Sequence, residues 1–448
     1  MKLNRNFLFF LTLFVSIWNY GQDSLVSSSS NDNFHNFFPG SDYWIPRFLN
    51  LYQKGKVNQN FQCDKRQATE DQLHTLIFDA GIISSHAFKR PYKYSASDSL
   101  WTDREQYKLL FFQLLLTIYE QNKGTRLSNI DDFLKTLYNF YELNYSSNPK
   151  KRNKNILKLE KHIKKRIQLK FHPSLTPLWI TNVGNPFVYI DLVAYNEFLI
   201  TQLPLSEQHY ESRVEETLKL IILAANADGN IQPEEKEWFR VYMAGSSLET
   251  IQKEDYEELL FKGIAMSSLN PIFKSKKLYN KLLFDICSFT CQTNLEIGET
   301  EKTFLYQISK KLYQNNEETE ALKSASISFF NTNRSSINYL QNKNERSILK
   351  KKVTDRIQKV WQRNKNKLKQ EWNETKEMAR LLDKDIGLTM KERKIVSMQM
   401  IDCITSVPTF VLFALPGGSI LLPIAIKFIP ILLPTSFRDN EIPKIINE

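Results

Sequence analysis

Cysteine, glycine and proline are scarce in this chain of 448 residues, and each scarcity excludes a class of structure. Four cysteines, of which Cys63 and Cys403 stand alone, are too few for a disulfide framework. Thirteen glycines and sixteen prolines, many of them clustered, leave long stretches without a helix breaker. Apolar residues in those stretches recur at helical spacing and do not alternate as they would in a strand. We therefore predict an all-α, multi-domain helical protein.

Catalytic signatures are missing as well. The sequence holds no nucleophile elbow, P-loop, glycine-rich dinucleotide turn or constellation of His, Asp and Glu. Cys287 and Cys291 share one helical face without a nearby His or further Cys, which favours two small core residues over a zinc site. His74 and His86 lack metal-ligand spacing and are expected to be surface or satisfied core residues. We predict that the protein is not an enzyme and uses no cofactor.

The longest uncharged stretch lies near the C-terminus. The 24 residues between Asp402 and Lys427 carry no formal charge. At about 1.5 Å per helical residue they extend roughly 36 Å, enough to cross a bilayer core of about 30 Å. A soluble core helix would not tolerate the breakers in this run, whereas a membrane segment can when neighbouring groups satisfy the freed backbone. We predict a proline-broken, membrane-embedded helix or hairpin, defined by Pro408, Phe410, Pro416, Gly417, Gly418, Pro423, Lys427, Pro430 and Pro434.

The net charge of +11 is concentrated in two blocks. Residues 150–170 hold ten basic residues and one acidic residue, and residues 342–394 hold seventeen basic and eight acidic residues. The second block leads into the apolar run, as expected at a membrane whose anionic lipids attract cations. For the first block, a solvated helix face is an equal alternative to a lipid-facing one. No nucleic-acid-binding motif accompanies the charge, so no DNA partner is expected.

The first 22 residues resemble a signal peptide or an anchor. Lys2 and Arg5 precede an apolar stretch at 7–18, and a serine-rich tract follows. Three alternatives remain open: cleavage after Gly21, an uncleaved anchor, or a start codon placed too far upstream. Export would place the helical body outside the cytoplasmic membrane, whereas the basic residues at 391–394 favour a body that faces inward. The side of the membrane is therefore left open.

Three further regions follow from the pattern: an N-terminal helical domain at 43–170, a second helical domain at 207–320, and a basic helix with the membrane segment at 342–438. Between the first two, residues 187–190 are expected to form either a short strand or part of a packed connector. Within 43–170, the apolar spacing from Leu73 to Ile83 and the run 109–118 predict helices.

The second domain carries an acidic turn between two predicted helices. One helix ends near Asp228 and Gly229, and the next starts at Pro233. Asp228, Asn230 and Glu235 match ligand positions in the second half of an EF-hand loop, which makes them candidate cation ligands. The first ligand position is alanine, and its missing carboxylate favours a structural turn over a metal site. A weaker copy follows 64 residues later, where Glu299 corresponds to Glu235 and Gln292 to Asp228.

The acidic turn resembles the tellurite-resistance TerB family, whose helical domain carries the pattern A-x-A-D-G-x-I-x-x-E-E. The matching residues are Ala225, Ala227, Asp228, Gly229, Ile231, Glu234 and Glu235. The resemblance covers about residues 211–314. It implies an interaction module that binds a protein partner, with a cation near the acidic turn, and no catalytic activity.

From about residue 371 the chain resembles the LETM family of membrane proteins, through the ordered series LLP-x-A-x-K-F-x-P-x-LLP-x-S-F at 421–437. Together with the TerB-like segment, this looks like the bacterial family called LETM-related biofilm-associated proteins. The resemblance implies a scaffold or interaction protein at the bacterial cytoplasmic (inner) membrane, linked to biofilm formation. The implied partners are anionic lipid and a protein, with a homo-oligomer as a further option. The alternative function is a LETM-like cation/proton transport component or a ribosome-associated membrane protein.

Overall fold

Helices make up nearly all of the regular secondary structure in the computed structural model of the chain. It describes residues 39–340, apart from 40–41, 61–68, 95–100, 146–148, 170–179, 181–182, 270–275, 294–296, 313 and 338–339. The helices in these ranges are α1 (Trp44–Gln53), α2 (Thr69–Ala80), α3 (Asp103–Lys123), α4 (Ile130–Phe140), α5 (Pro149–Ile167), α6 (Val188–Thr201), α7 (Glu207–Ala225), α8 (Pro233–Gly245), α9 (Thr250–Lys262), α10 (Lys277–Gln292), α11 (Glu299–Lys311) and α12 (Asn316–Asn333). The predicted helical fold is confirmed for this part of the chain.

A small antiparallel ribbon interrupts the helices near the N-terminal end. Strands β1 (Val57–Gln59) and β2 (Tyr92–Tyr94) pair, with Val57 opposite Tyr94. Three residues per strand are too few for an independent sheet, so the ribbon depends on the helices around it. The side chains of Val57 and Tyr92 are buried there.

Helix α3 shows how local signals fix an element that also forms a core. Thr102 accepts the Glu105 N–H at 3.3 Å, and the Glu105 carboxylate accepts the Thr102 N–H at 2.7 Å, which forms a capping box. The helix ends at Lys123, and the capping residue Gly124 follows with a left-handed φ of 67°. All side chains from Leu109 to Tyr119 are buried, and the helix packs against α5 and α6. The apolar helix predicted at 109–118 is confirmed.

Helix α10 is the centre of the second half of the described chain. Every side chain from Leu278 to Gln292 is buried. The helix contacts α2, α7, α8, α11 and α12, so neighbours surround it on all sides. Helix α2, which the sequence assigns to 43–170, therefore packs on a helix of 207–320. All described residues belong to one compact unit, Ser27–Lys343.

The strand alternative for residues 187–190 is wrong. Phe187 precedes the first residue of α6, and the residues that follow it are helical up to Thr201. Ten of the fourteen residues of α6 are buried, chiefly against α3. Because burial on a neighbouring helix outweighs the β preference of a few branched residues, the short apolar run becomes the first turn of a helix.

Several predicted elements lie outside the described residues. These are the segment 1–22, the region 342–438, and the membrane-segment residues Pro408, Phe410, Pro416, Gly417, Gly418, Pro423, Lys427, Pro430 and Pro434. Among the helices that the structure does describe, none combines the length and the apolar character needed to cross a bilayer.

Candidate functional site

The acidic turn joins α7 to α8 as the sequence predicts. The Asp228 carboxylate accepts the Asn230 N–H at 2.9 Å, and Gly229 adopts a φ of 80°. The Asn226 side chain donates to the Leu260 carbonyl at 2.9 Å, which fixes the turn to α9. Pro233 occupies the first turn of α8, where its missing N–H costs no hydrogen bond. The predicted start of α8 at Pro233 is confirmed, whereas α7 ends at Ala225, three residues before Asp228.

Glu235 caps the start of α8. Its carboxylate accepts the Gln232 N–H at 2.8 Å in a capping box, and the residue is only 1% exposed. Asp228 and Asn230, by contrast, are exposed. The three candidate cation ligands are therefore divided between the solvent and the buried start of α8. Among the described residues, no group of three or more His, Cys, Asp or Glu side chains is arranged to hold a metal ion. The cation site at Asp228, Asn230 and Glu235 stays a prediction.

The second copy of the turn also has a glutamate that caps the following helix, but at a different position from the one that the sequence comparison predicts. The Glu301 carboxylate accepts the Gly298 N–H at 2.5 Å at the start of α11, as Glu235 does at the start of α8. The structural counterpart of Glu235 is thus Glu301, two residues beyond the predicted Glu299. The shift arises because α10 remains helical through Gln292, whereas the aligned Asp228 lies three residues past the end of α7.

The two copies influence a common buried cysteine. Cys291 has its thiol pKa raised well above the usual value, first by burial and then by the negative charges of Glu301, Glu235 and Asp228. Cys287, one turn earlier, also has a raised thiol pKa because of burial. Both thiols are free and fully buried, so the predicted role as small core residues is confirmed.

A buried contact between a histidine and an aspartate connects two distant parts of the described chain. His74 Nε2 on α2 lies 2.6 Å from Asp285 Oδ2 on α10, and Asp285 Oδ1 lies 3.4 Å from the Ser326 hydroxyl on α12. Burial raises the pKa of Asp285, while His74 opposes the shift. His74 is thus a satisfied core histidine, as expected. The arrangement joins three helices, and no local pattern identifies the partner of His74, since the two residues are 211 positions apart.

A second buried carboxylate, Glu120, joins the β ribbon to α3. It accepts hydrogen bonds from the hydroxyls of Tyr52 and Tyr92 and from the Leu127 N–H at 2.7 Å. The guanidinium of Arg126 lies over the Tyr52 ring at 4.8 Å. All of these contacts hold secondary structure elements together.

A cleft of about 220 Å³ opens between α10, α11 and α12, with lining residues that include Gln292 and Phe330. Its two lysines are each bound to a neighbouring carboxylate: Lys302 to Glu299 at 2.5 Å and Lys323 to Glu320 at 3.1 Å. Because these cations are already paired, the cleft offers a ligand little uncompensated charge.

The basic helix α5 divides into an apolar and a cationic face. Ile156, Leu159 and Ile163 are buried, and the helix contacts α1 and α3. On the other side lies the lysine stripe, Lys154, Lys158, Lys161 and Lys165, in which all four residues are exposed. At about 100° per residue, these positions fall within roughly 60° of arc. The stripe is therefore a continuous cationic line along the outer surface of α5.

Two other ionic groups of α5, Glu160 and Arg166, bind partners on neighbouring segments. Glu160 accepts the N–H groups of Tyr43 and Ile45, both at 2.9 Å, and so caps the start of α1. Burial raises the pKa of Glu160 to about 7. Arg166 donates to the buried Asp191 at 2.7 Å. Glu160 and Arg166 therefore stabilise the packing of α5, and neither carries a charge of the lysine stripe.

The described residues thus place buried carboxylates at helix caps and ion pairs, and cations along one helix surface. The carboxylates of Glu120, Glu160 and Glu235 accept backbone N–H groups, which suits a structural role. The surface cations are suited to binding an anionic partner. No protein-family model, curated protein or solved structure matches the chain.

Proposed function

We propose that this protein is a non-enzymatic, membrane-associated helical scaffold of the bacterial envelope, of the kind linked to biofilm formation. The observation that carries the proposal is the uncharged run of 24 residues between Asp402 and Lys427. An uncharged, apolar run of this length has a lower free energy in the bilayer core than in water. The helical unit at 27–343 would then be held at the membrane surface by its C-terminal segment.

The proposed role as a scaffold is supported by the use of polar groups in the described unit. Buried carboxyl groups such as those of Asp285 and Glu120 form hydrogen bonds to other helices or strands, which stabilises the packing. The proposed protein partner binds the TerB-like segment, and this part of the proposal rests on the resemblance of the acidic turn. Crosslinking in membranes followed by mass spectrometry tests it, because the proposal requires crosslinks from residues 207–320 to a second protein.

Membrane insertion can be tested with two arginine substitutions in the full chain. Leu412→Arg and Leu421→Arg each place a cation in the apolar run. Each arginine near the centre of a membrane helix raises the free energy of insertion by about 2.5–3.5 kcal/mol. We expect the wild-type protein to stay in the membrane fraction after a wash at high salt and high pH. The double variant is expected in the soluble fraction or in aggregates.

A matched control is available in the described unit. Ile200 is 70% exposed, so Ile200→Arg adds a charge without burying it. This variant should remain with the membrane as the wild type does. Recovery of the wild-type protein as a monodisperse soluble species without detergent would contradict the proposal.

A transport component is the second candidate, because Lys427 is a cation within an otherwise apolar sequence. Charges inside a membrane segment commonly serve ion pathways, although a lysine can also extend to the interface. Flux of cations or protons into vesicles that contain the purified protein tests this candidate. Transport that is lost in Lys427→Ala supports it, and a wild-type protein without flux eliminates it.

A further inference from the structure

We infer that the lysine stripe of α5 binds the headgroups of anionic phospholipids, so that this face of the helical unit lies on the membrane. The inference rests on the proposed function, since the C-terminal segment would bring the unit to a bilayer. It adds a second, independent contact with lipid and assigns it to Lys154, Lys158, Lys161 and Lys165.

The shape of the stripe suits a flat surface. Lys154 and Lys165 are eleven positions apart, which corresponds to about 16 Å along the helix axis. All four lysines lie on the same side of α5, and the opposite side of the helix is buried against α1 and α3. The helix therefore cannot rotate to hide the stripe, and four cations can contact a plane at the same time.

The charge of the stripe is not neutralised by its own helix. Glu160 is the only acidic residue of α5, and it is 6% exposed because it caps α1. Within the described part of the chain, none of the four lysines forms an ion pair. Because an anionic surface attracts each lysine separately, four unpaired lysines together form a substantial binding element.

Lipid suits this surface better than nucleic acid does. Proteins that bind single strands stack bases on exposed aromatic rings. Helix α5 has no Phe, Tyr or Trp, and the ring of His162 packs on Tyr141 at 4.4 Å. Arg166, whose planar guanidinium would suit a phosphodiester, is bound to Asp191. Lysines act as flexible point charges, which suit mobile headgroups without fixed geometry.

The test separates the stripe from the membrane segment. The full chain with Leu412→Arg and Leu421→Arg is mixed with vesicles of phosphatidylcholine alone, or with vesicles in which phosphatidylglycerol replaces about a third of it. We expect this variant to float with the anionic vesicles and not with vesicles of phosphatidylcholine alone. Changing the four stripe lysines to Gln should lower the partition constant several hundred-fold, at about 1 kcal/mol per lysine and about 1.36 kcal/mol per factor of ten.

A control variant carries the same change in net charge. Lys89, Lys262, Lys302 and Lys310 are exposed lysines outside α5, and their replacement by Gln should lower the partition constant much less. Circular dichroism checks that all variants keep their helices. Equal losses in the stripe and control variants would show a non-specific charge effect and overturn the inference.

Two further experiments identify the anion that the lysine stripe binds. Inorganic phosphate added at constant ionic strength should not displace the protein from anionic vesicles; displacement would assign the stripe to free phosphate. Binding to a single-stranded RNA that is tighter than binding to anionic vesicles, and lost in the stripe variant, would also overturn the inference.

A second measurement uses the wild-type protein and does not depend on the arginine variants. In membranes that contain phosphatidylglycerol, acetylation of the four stripe lysines should slow several-fold relative to phosphatidylcholine, while Lys89 and Lys262 react equally in both. Unchanged stripe reactivity in protein that resists the salt and high-pH wash would overturn the inference and leave the proposed function intact.

Discussion

The carboxylate of Glu216 is predicted to reduce the stability of the helical unit at neutral and alkaline pH. Glu216 lies on α7 and is 7% exposed. Its Oε2 accepts the Tyr279 hydroxyl at 3.1 Å, while its Oε1 is buried without a hydrogen-bond partner. Burial raises the pKa of Glu216 from about 4.5 to about 7, although Tyr279, Arg213 and Lys219 oppose the shift.

The sign of the effect follows from this raised pKa. A carboxyl group with a higher pKa in the folded state stabilises the fold fully below about pH 4.5, and that contribution is lost as the pH rises through about 7. At about 1.36 kcal/mol per pKa unit, the loss is on the order of 3 kcal/mol by pH 8. Glu216→Gln removes the charge and keeps an acceptor for Tyr279. We expect the variant to be more stable than the wild type at pH 8, by about 1–3 kcal/mol, and nearly unchanged at pH 5.

Urea unfolding of the full chain in detergent, followed by circular dichroism at several pH values, measures the difference. Glu211→Gln is the matched control, since Glu211 is exposed on the same helix. Its difference from the wild type should stay within about 0.5 kcal/mol at every pH. A Glu216→Gln variant that is less stable than the wild type by the same amount at pH 5 and pH 8 would refute the reasoning.

Two further predictions use the same unfolding assay. Asp285→Ala leaves His74 without its buried partner and should destabilise the protein by about 3–5 kcal/mol, whereas Asp285→Asn should cost less because it can keep a hydrogen bond. Gly229→Ala should cost about 1 kcal/mol, because its φ is 80° but nothing surrounds the new methyl group; Gly81→Ala should cost clearly more, since its Cβ would lie 2.4 Å from the Phe88 ring. Equal costs for the two glycines would contradict this account of local crowding.

Local signals in the sequence were sufficient to predict several helices. The spacing of apolar residues around Leu73 and the run 109–118 mark α2 and α3, since each helix buries a large part of its own surface. Gly229 marks the turn that follows α7, and Pro233 marks the start of α8, because a left-handed turn favours glycine and a first helical turn accepts proline. These signals act within a few residues, and therefore they can be recognised without the fold.

Contacts between distant residues could not be predicted in this way. Nothing near His74 indicates that Asp285 is its partner, and nothing in the basic sequence of α5 shows that Glu160 caps α1. These pairs exist because helices far apart in the chain pack side by side. Residues 187–190 are a further example. Their local sequence also fits a strand, but burial against α3 stabilises the helical conformation.

The acidic turn shows why one motif supports two interpretations. A glutamate after a glycine turn is a calcium ligand at the last position of an EF-hand loop, and it is also the residue that completes a capping box. In the structure, the Glu235 carboxylate accepts the Gln232 N–H, and Glu301 repeats the same bond with Gly298 at the second turn. A cation at the first turn would have to share this carboxylate with the start of α8. The repetition of the cap in a copy that lacks the aspartate shows that capping needs only the glutamate, and capping is therefore the role that both turns have in common.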